Sequence, residues 1–527
     1  MAAADQSRTV DGSARAGSLT GVLLISRVLG LGRDVVLAML LGAGPASDAL
    51  RAALKIPSMI RDLLAEGSIS AAFIPSYEQQ KLDGGRAAAH RFTRAVLTLL
   101  LLFCSLLALC LWWWAPLWIE QLAPSLEPSQ LAVTLLKELL PFLLVVPFLA
   151  VLRGVLLGAD RNRSAVASQA LQNLILVAAG GWMVNQGMSG SEAASGWILA
   201  FLVGSLAAFL LLALSSRSAQ PFPLPTTSIR VGGIRRFSGD LAIQLLASSV
   251  TYLNSLMAMR FASLIGPGSI THLDIAFRFH FLPIALIGVA LGTIAGVDAA
   301  RLAARQQHRV MAIRIGRSLR NALFIALPAA VGLMLLAAPL LRLLLQHGNY
   351  DAASASQTIE VLQVFCLAIP MACLCPALIR TTMVLGYRRL LIGISSVALL
   401  TNWTVLSLLD GRWGVPGLAA ASVASTLASW MLLEIGLRRT LALPRPRVSA
   451  AIRNGLITAA VALSTALVTW GSSSTFVTPR IQDLVTIGAS IPLGIAIVSL
   501  LGRRLGAPEV IALERMLHSI RRVLRKS

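Results

Sequence analysis

Apolar stretches long enough to cross a membrane recur along almost the whole chain, with short polar gaps between them. A spanning helix needs roughly 20 mostly apolar residues. Apolar length, Gly and Pro positions and charged gaps together predict about 14 transmembrane helices. They lie near 18–42, 47–78, 92–118, 131–158, 163–186, 194–216, 236–264, 270–300, 317–346, 355–386, 389–409, 414–437, 451–471 and 483–502. The predicted fold is an all-α integral membrane protein.

The connections between these spans alternate in their content of Lys and Arg. Basic connections carry, among others, Arg86, Arg161, Arg230, Arg305 and Arg438. The intervening loops GAGPAS, APSLEPSQ, NQGMSGSE and HGNYDAAS contain neither residue type, and the last two loops of that set have only Arg412 and Arg480. Because positive charge resists translocation, the basic connections and both termini are predicted to be cytoplasmic.

A spacing of prolines and asparagines indicates an internal repeat. Pro141, Pro147 and Asn173 are spaced like Pro370, Pro376 and Asn402. The two sets start six spans apart, which predicts two six-helix lobes and a terminal helix pair. The predicted domains are an N-terminal cytoplasmic tail 1–17, lobes 18–220 and 221–440, a helix pair 441–503 and a basic cytoplasmic tail 504–527. The end of the chain from Glu509 is either an amphipathic surface helix or a solvated tail.

Composition supports this interpretation. The chain is 56% hydrophobic and 13% charged, which is typical of a protein embedded in a bilayer. Its net charge of +22 would suggest a nucleic-acid partner in a soluble protein. Here topology explains the charge, so no nucleic acid is expected. The five cysteines lie in apolar runs, and the sequence predicts neither a disulfide framework nor a metal site.

Charged residues interrupt the first two spans. Each costs ~2.5–3.5 kcal/mol at the centre of a membrane helix, so such residues usually face a wet cavity or a partner. They are Arg27, Arg33 and Asp34, followed by Asp48, Arg51, Lys55, Arg61, Asp62 and Glu66. At 100° per residue, Asp48, Arg51, Lys55, Asp62 and Glu66 share about one third of the circumference of a helix. We call these five residues the charged stripe.

The second half of the chain has fewer such charges. Asp274 and Arg278 lie one helical turn apart, and Arg260 is in the preceding span. A cavity rich in arginine suits a lipid with a pyrophosphate head group, because guanidinium groups bind phosphate oxygens bidentately. Other interpretations stay open: Arg51 and Asp62 pair with neighbours or reach the membrane interface, and Asp274 serves only as the partner of Arg278.

The stretch SRVLGLGRDVVLAMLLGAGPASDALRAALKIPSMIRDLLAEGSISAAFIPSYEQQ resembles the N-terminal signature of the MurJ (MviN) family of lipid II flippases, within the MOP exporter superfamily. Weaker similarity includes LPFLL, GADRNR, GVALGTI and HGNYDAAS. The resemblance implies that substrate is bound by Arg27, Arg33, Asp34, Asp48, Lys55, Arg61, Glu66 and Arg278. The charge pattern alone adds Arg51, Asp62, Arg260 and Asp274 as accessory candidates. The chain has Ala276-Phe277-Arg278 where the family usually has Ala-Asp-Arg, which leaves Arg278 without its ordinary acidic neighbour.

The resemblance also implies a function. Lipid II would be flipped across the bacterial inner membrane by alternating access, with membrane lipids as the other partners and with no catalytic residue, metal or cofactor. Membrane potential or a monovalent cation could supply the energy, and Asn402 and Asp240 are loose candidates for a cation site. The alternatives are an exporter of another polyprenyl-linked oligosaccharide or of drugs, and a membrane-embedded polyprenyl-phosphate transferase. Such a transferase needs clustered acids, and no Asp-Asp or Asp-x-x-Asp group occurs in the predicted cytoplasmic loops.

Overall fold

The computed structural model of the protein describes residues 25–64, 69–159, 161–217, 220–409, 411–444, 448–475, 478–511 and 513–514. These residues form helices joined by turns and short loops, which confirms the predicted all-α class. The predicted N-terminal tail and most of the basic C-terminal tail lie outside the described residues.

Helices of the first half are numbered in chain order. They are α1 (25–41), α2 (Pro45–Leu63), α3 (Ile69–Trp113), α4 (Ala115–Leu122), α5 (Ser129–Leu139), α6 (Pro141–Gly158), α7 (Asn162–Asn185) and α8 (Gly190–Ser216). In the second half they are α9 (Ile234–Ile265), α10 (Ser269–Pro283), a π-helix (Ile284–Val289), α11 (Ala290–Ala304), α12 (His308–Leu345), α13 (Ala352–Cys366), α14 (Ile369–Val384), α15 (Arg388–Leu409) and α16 (Gly414–Leu441). Two more helices, α17 (Val448–Thr475) and α18 (Pro479–Arg504), follow.

Several predicted spans are divided in the structure. The predicted second span, 47–78, is too long, since α2 ends at Leu63 and residues from Ile69 onward belong to α3. Within α3, Gly84 and Gly85 leave the helical conformation, and Gly85 has a φ of +68° that favours glycine. Prolines divide two other predicted spans: Pro141 starts α6, and α13 and α14 meet at a 50° bend before Pro370. A proline lacks the N–H that would continue the preceding helix.

Nine helices among the described residues are long and apolar enough to cross a membrane, or ten if α13 and α14 form one bent span. The charged helices α1 and α2 are not among them. The count of about 14 spans therefore stays a prediction.

The described residues form two compact units. The first contains those up to Tyr252 together with Gly266–Gly268, and the second contains Leu253–Ile265 and those from Ser269 onward. Each unit uses the same internal packing pattern. In the first, α2 packs on α5, α3 on α6, α6 on α8 and α7 on α8; in the second, α10 packs on α13, α12 on α14, α14 on α16 and α15 on α16. This correspondence supports the internal repeat, whereas the exact domain limits stay a prediction.

The terminal helices α17 and α18 pack on α12 and belong to the second unit. Three ion pairs fix them. Arg342 of α12 donates to the Asp483 carboxylate of α18 at 2.8 and 3.2 Å, and Glu509 lies 2.7 Å from Arg453 of α17 and 3.8 Å from Arg320 of α12. Because Arg320 and Arg342 are roughly 33 Å apart along α12, the helix pair is held near both ends.

The stretch that begins at Glu509 is only partly described. Glu509, Val510 and Leu513 are buried, and the last two pack in a cluster with Phe324 and Ile457. Both interpretations of this stretch, a surface helix and a solvated tail, are therefore wrong for its beginning. The apolar positions Val510 and Leu513 pack on the middle of α12, at Phe324, and on α17 at Ile457.

Candidate functional site

Arg33 and Asp34 form the polar centre of α1. The Arg33 Nε and Nη2 groups both donate to Asp34 Oδ1, at 3.0 and 2.8 Å. Arg33 Nη1 donates to Asn173 Oδ1 of α7 at 3.3 Å. The two charged side chains keep 20% and 18% of their surface exposed. The guanidinium is thus held in place by two hydrogen-bond acceptors while part of it stays accessible.

Asn173 joins α7 to α1 at two points. Besides accepting from Arg33, its amide nitrogen donates to the backbone oxygen of Ser26 at 3.3 Å. A Cβ at Gly30 would lie 3.4 Å from that nitrogen, so a larger residue there would crowd the contact. Asn173 is 4% exposed. This buried amide sets the position of the Arg33 side chain, a role that the sequence did not assign to it.

The charged stripe on α2 is not uniformly accessible. Asp48 and Arg51 are buried, Lys55 and Asp62 are half-buried, and Glu66 lies outside the described residues. Asp48 Oδ2 accepts from the backbone N–H of Gly268 at 2.7 Å, and Gly268 belongs to the same compact unit. Asp48 and Arg51 are therefore packed inside the protein, whereas Lys55 and Asp62 stay partly accessible.

Arg61 lies at the end of α2 and is held by its neighbour. Its Nε and Nη2 groups donate to Asp62 Oδ1 at 2.9 and 2.7 Å. Arg61 also lines a small cavity inside the first unit. The other lining residues are Leu149, Arg153, Ser168, Gln169, Gln172 and Ala208. Two arginines, from α2 and α6, therefore line the same small cavity as polar residues of α7, and sequence reasoning missed Arg153.

The remaining predicted residues are less enclosed. Arg27 is exposed on α1, and Arg260 is exposed on α9. In the second unit, Arg278 Nε donates to Asp274 Oδ2 at 3.0 Å, with 37% of the arginine side chain and 25% of the aspartate side chain exposed. Asp274 therefore supplies an acidic partner for Arg278. The residue directly before Arg278, where the family usually has an aspartate, is Phe277 in this chain.

Buried polar side chains fix α10 against α13. His272 Nδ1 lies 2.8 Å from Thr358 Oγ1, and the Tyr350 hydroxyl lies within hydrogen-bond distance of both. Asp351 begins α13 by accepting from the Ser354 backbone N–H at 2.8 Å. Hydrogen bonds from the Ser354 side chain and backbone hold the pKa of Asp351 below its usual range. The first turn of α10 is therefore rigidly placed, and with it the face that carries Arg278.

The loose cation candidates differ in their surroundings: Asn402 is buried, and its Oδ1 has no hydrogen-bond partner among the described residues. Asn402 donates to Asn254 Oδ1 at 3.1 Å. Asp240 is exposed and lies 3.9 Å from Arg236. Within the described part of the chain, no group of three or more His, Cys, Asp or Glu side chains is arranged to hold a metal ion.

The family profile described as lipid II flippase MurJ matches residues 37–482. The chain belongs to the MurJ family. Among curated relatives, the lipid II flippase MurJ of Burkholderia cenocepacia is 26% identical over 80% of this chain and 83% of its own length. The probable lipid II flippase MurJ of Vibrio cholerae is also 26% identical, over 92% of this chain and 95% of its own length.

Solved structures show the same fold. An inward closed conformation of a lipid II flippase MurJ aligns with a TM-score of 0.76 at 20% identity, over 92% of this chain and 99% of that one. An inward-facing multidrug resistance transporter of the MATE family, in the MOP superfamily, aligns with a TM-score of 0.67 at 14% identity, over 79% and 94% of the two chains. The MurJ architecture is therefore shown for this chain.

Proposed function

We propose that this protein flips lipid II from the cytoplasmic to the outer leaflet of the bacterial inner membrane. The match of the MurJ family over residues 37–482 carries the proposal. The names of the curated relatives support it, because both are called lipid II flippases or probable lipid II flippases.

The side chains of the first unit support the same function. Arg33 and Arg61 are each oriented by an adjacent aspartate, so their guanidinium groups lose little further conformational freedom when they bind. Ionisable groups placed in this way within membrane helices are typical of a substrate path. A pyrophosphate offers oxygens that guanidinium groups recognise bidentately. Arg33, Arg61 and Lys55 are our candidates for the first contacts with the head group.

Transport requires binding and release, with no covalent step. In the proposed cycle the site is accessible from the cytoplasm first and from the outer side later, while the polyprenyl chain stays in lipid. Both termini lie in the cytoplasm in this proposal, since the basic connections indicate that orientation. Membrane potential is one energy source, because a charge that crosses the field gains ~2.3 kcal/mol per 100 mV. A coupled monovalent cation is the other.

A cell-wall assay tests the proposal. The gene is expressed in bacteria depleted of their own lipid II flippase, and export of the precursor is measured with an externally added probe that modifies only outer-leaflet lipid II. We expect export and growth to be restored. A protein that inserts normally into the membrane but restores neither would overturn the proposal.

The related fold of drug exporters leads to a defined control. The similarity to the MATE transporter, at 14% identity, shows a shared fold but does not show a shared substrate. A drug exporter would lower the accumulation of cationic dyes in the same cells and leave lipid II export unchanged. We expect the opposite result for both measurements.

A further inference from the structure

One face of α10 combines charged and aromatic side chains. At 100° per residue, Asp274, Phe277, Arg278 and Phe281 fall within roughly 100° of the helix circumference. All four are partly or largely exposed, with 49% of Phe277 and 47% of Phe281 accessible. The face therefore presents two phenyl rings beside an ion pair.

The two rings are held in a defined arrangement. The rings of Phe277 and Phe281 are nearly parallel, with centroids 6.2 Å apart and planes inclined by 17°. The buried Phe365 of α13 supports Phe277 edge-on at 5.9 Å. Phe365 also stacks on His280 at 5.1 Å. Because α10 is fixed to α13 on both sides of this contact, the rings form a firm surface, which we call the phenyl shelf (Phe277 and Phe281).

Neither water nor lipid alone suits this face. Large apolar side chains exposed to water are unfavourable. An ion pair exposed to acyl chains within a membrane helix is also costly. A ligand that has an apolar surface next to polar and phosphorylated groups would satisfy both parts at once.

We infer that the phenyl shelf binds the sugar ring that is attached to the phosphate of the lipid-linked substrate, while Arg278 contacts that phosphate. The inference rests on the proposed function. One face of a pyranose ring consists of C–H groups that pack on aromatic rings, and its hydroxyl groups donate to carboxylates such as Asp274. A polyprenyl chain also adjoins the phosphate, but it has no donor for Asp274. The sugar therefore uses every group on this face.

The test compares two lipids that share the polyprenyl pyrophosphate, of which only lipid II carries the disaccharide and its peptide. Binding of undecaprenyl pyrophosphate and of lipid II to the full-length protein in nanodiscs is measured by native mass spectrometry, and by titration with each lipid. The double variant Phe277→Leu/Phe281→Leu keeps apolar side chains and removes both rings. We expect it to bind lipid II about tenfold more weakly, as the loss of two ring contacts implies, and undecaprenyl pyrophosphate as well as the unaltered protein does.

A matched control uses an exposed ring elsewhere. Phe103 on α3 is 47% exposed, like Phe281, so Phe103→Leu should leave the binding of both lipids unchanged. A second variant, Phe277→Tyr/Phe281→Tyr, keeps the rings and should bind lipid II within about twofold of the unaltered protein.

Other outcomes overturn specific statements. Equal weakening for both lipids would assign the shelf to the polyprenyl chain or the pyrophosphate, and no weakening for either would remove it from the site. If the unaltered protein binds undecaprenyl pyrophosphate but not lipid II, both the proposed function and the sugar assignment fail. If the unaltered protein binds lipid II and the leucine double variant binds it equally well, the proposed function stands and the shelf assignment alone is wrong.

Discussion

Helix α2 in the first unit and the α10–α11 segment in the second occupy corresponding places in the repeat, but their chemistry differs. The first packs on α5 and the second on α13, the equivalent helix. On α2 the charged stripe starts with the buried Asp48 and Arg51. On α10 a partly exposed ion pair lies beside two exposed phenyl rings. The repeat has kept the packing and changed the exposed groups.

The backbones of the two segments differ as well. Helix α2 continues through Pro57, whereas α10 gives way to a π-helix directly after Pro283. In this second segment Gly288 and Gly292 lie against the backbone of α14, where an added Cβ would come within 2.8 Å of Cys373 and 2.7 Å of Pro376. Single-turn π-helices are frequent at functional sites because they rotate the following face of a helix.

The difference is one of chemistry, because each unit offers a different kind of contact to a ligand. In the first unit, arginines are oriented by adjacent carboxylates and by Asn173, which suits recognition of charge. In the second unit, the phenyl shelf suits recognition of shape and leaves a single arginine on the same face. We expect charge substitutions to be most harmful in the first unit and ring substitutions to be selective in the second.

The largest effect is expected for Arg33→Ala. The change removes the group that binds Asp34 and Asn173, together with the proposed phosphate contact. We expect transport of lipid II in proteoliposomes to fall by about a hundredfold, since hydrogen bonds to charged groups contribute ~1.5–3 kcal/mol each. Dithionite-type quenching of a labelled lipid II in the outer leaflet measures the rate.

The double variant Arg33→Ala/Asp34→Asn separates transport from folding. Removal of the Asp34 charge should restore most of the lost thermal stability, because no unpaired carboxylate then remains in α1. Transport should stay low. Recovery of transport in the double variant would show that Arg33 acts only as a structural partner of Asp34.

Much of this arrangement could be predicted from the sequence. Apolar periodicity and basic loops indicate the helical membrane fold, and the excess of charge in α1 and α2 marks the polar centre because such groups are costly in lipid. The spacing shared by Pro141 and Pro370 indicates the repeat. The first two signals are local, since each depends on residues close together in the chain, and the third compares two such local spacings.

Long-range partners could not be predicted in the same way. Asn173 meets Arg33 across 140 residues, and Asp483 meets Arg342 across 141. A single sequence has no signal for such pairs, since a polar residue in an apolar run has many candidate partners. The end of α2 was also misplaced, because helical periodicity continues past Leu63. The equal spacing of Asn173 from Pro141 and of Asn402 from Pro370 was the one sequence signal that pointed to Asn173.

A second, smaller effect is expected from a matched pair of asparagine variants. Asn173→Leu removes bonds to Arg33 and Ser26, whereas Asn402→Leu removes the bond to Asn254 at the corresponding position of the second unit. We expect Asn173→Leu to lower transport about tenfold, and Asn402→Leu to change it less than twofold while costing ~1–3 kcal/mol of stability. Transport rates and thermal unfolding are measured for both. Equal transport losses would contradict the division between the two units.

A third comparison concerns the two aspartates that pair with arginines. Asp34→Asn removes the negative charge of a half-buried pair, and Asp274→Asn removes that of a more exposed pair. We expect Asp274→Asn to lower stability by less than ~1 kcal/mol, as is typical of exposed ion pairs. Asp34→Asn should cost more, and thermal unfolding in detergent measures both. A larger loss for Asp274→Asn would show that its pair is the more enclosed one.

The smallest effect on transport is expected where charge serves only packing. Asp483 is 4% exposed and accepts two hydrogen bonds from Arg342, and this pair holds α18 on α12. Asp483→Asn keeps the shape of the side chain and one acceptor, so we expect lower thermal stability by ~1–3 kcal/mol and unchanged transport per folded molecule. Arg342→Ala should destabilise more, since it leaves the carboxylate of Asp483 buried without its cation. If Asp483→Asn lowers transport at normal stability, a charged side chain of the second unit also takes part in transport. The contrast between the two units would then be wrong.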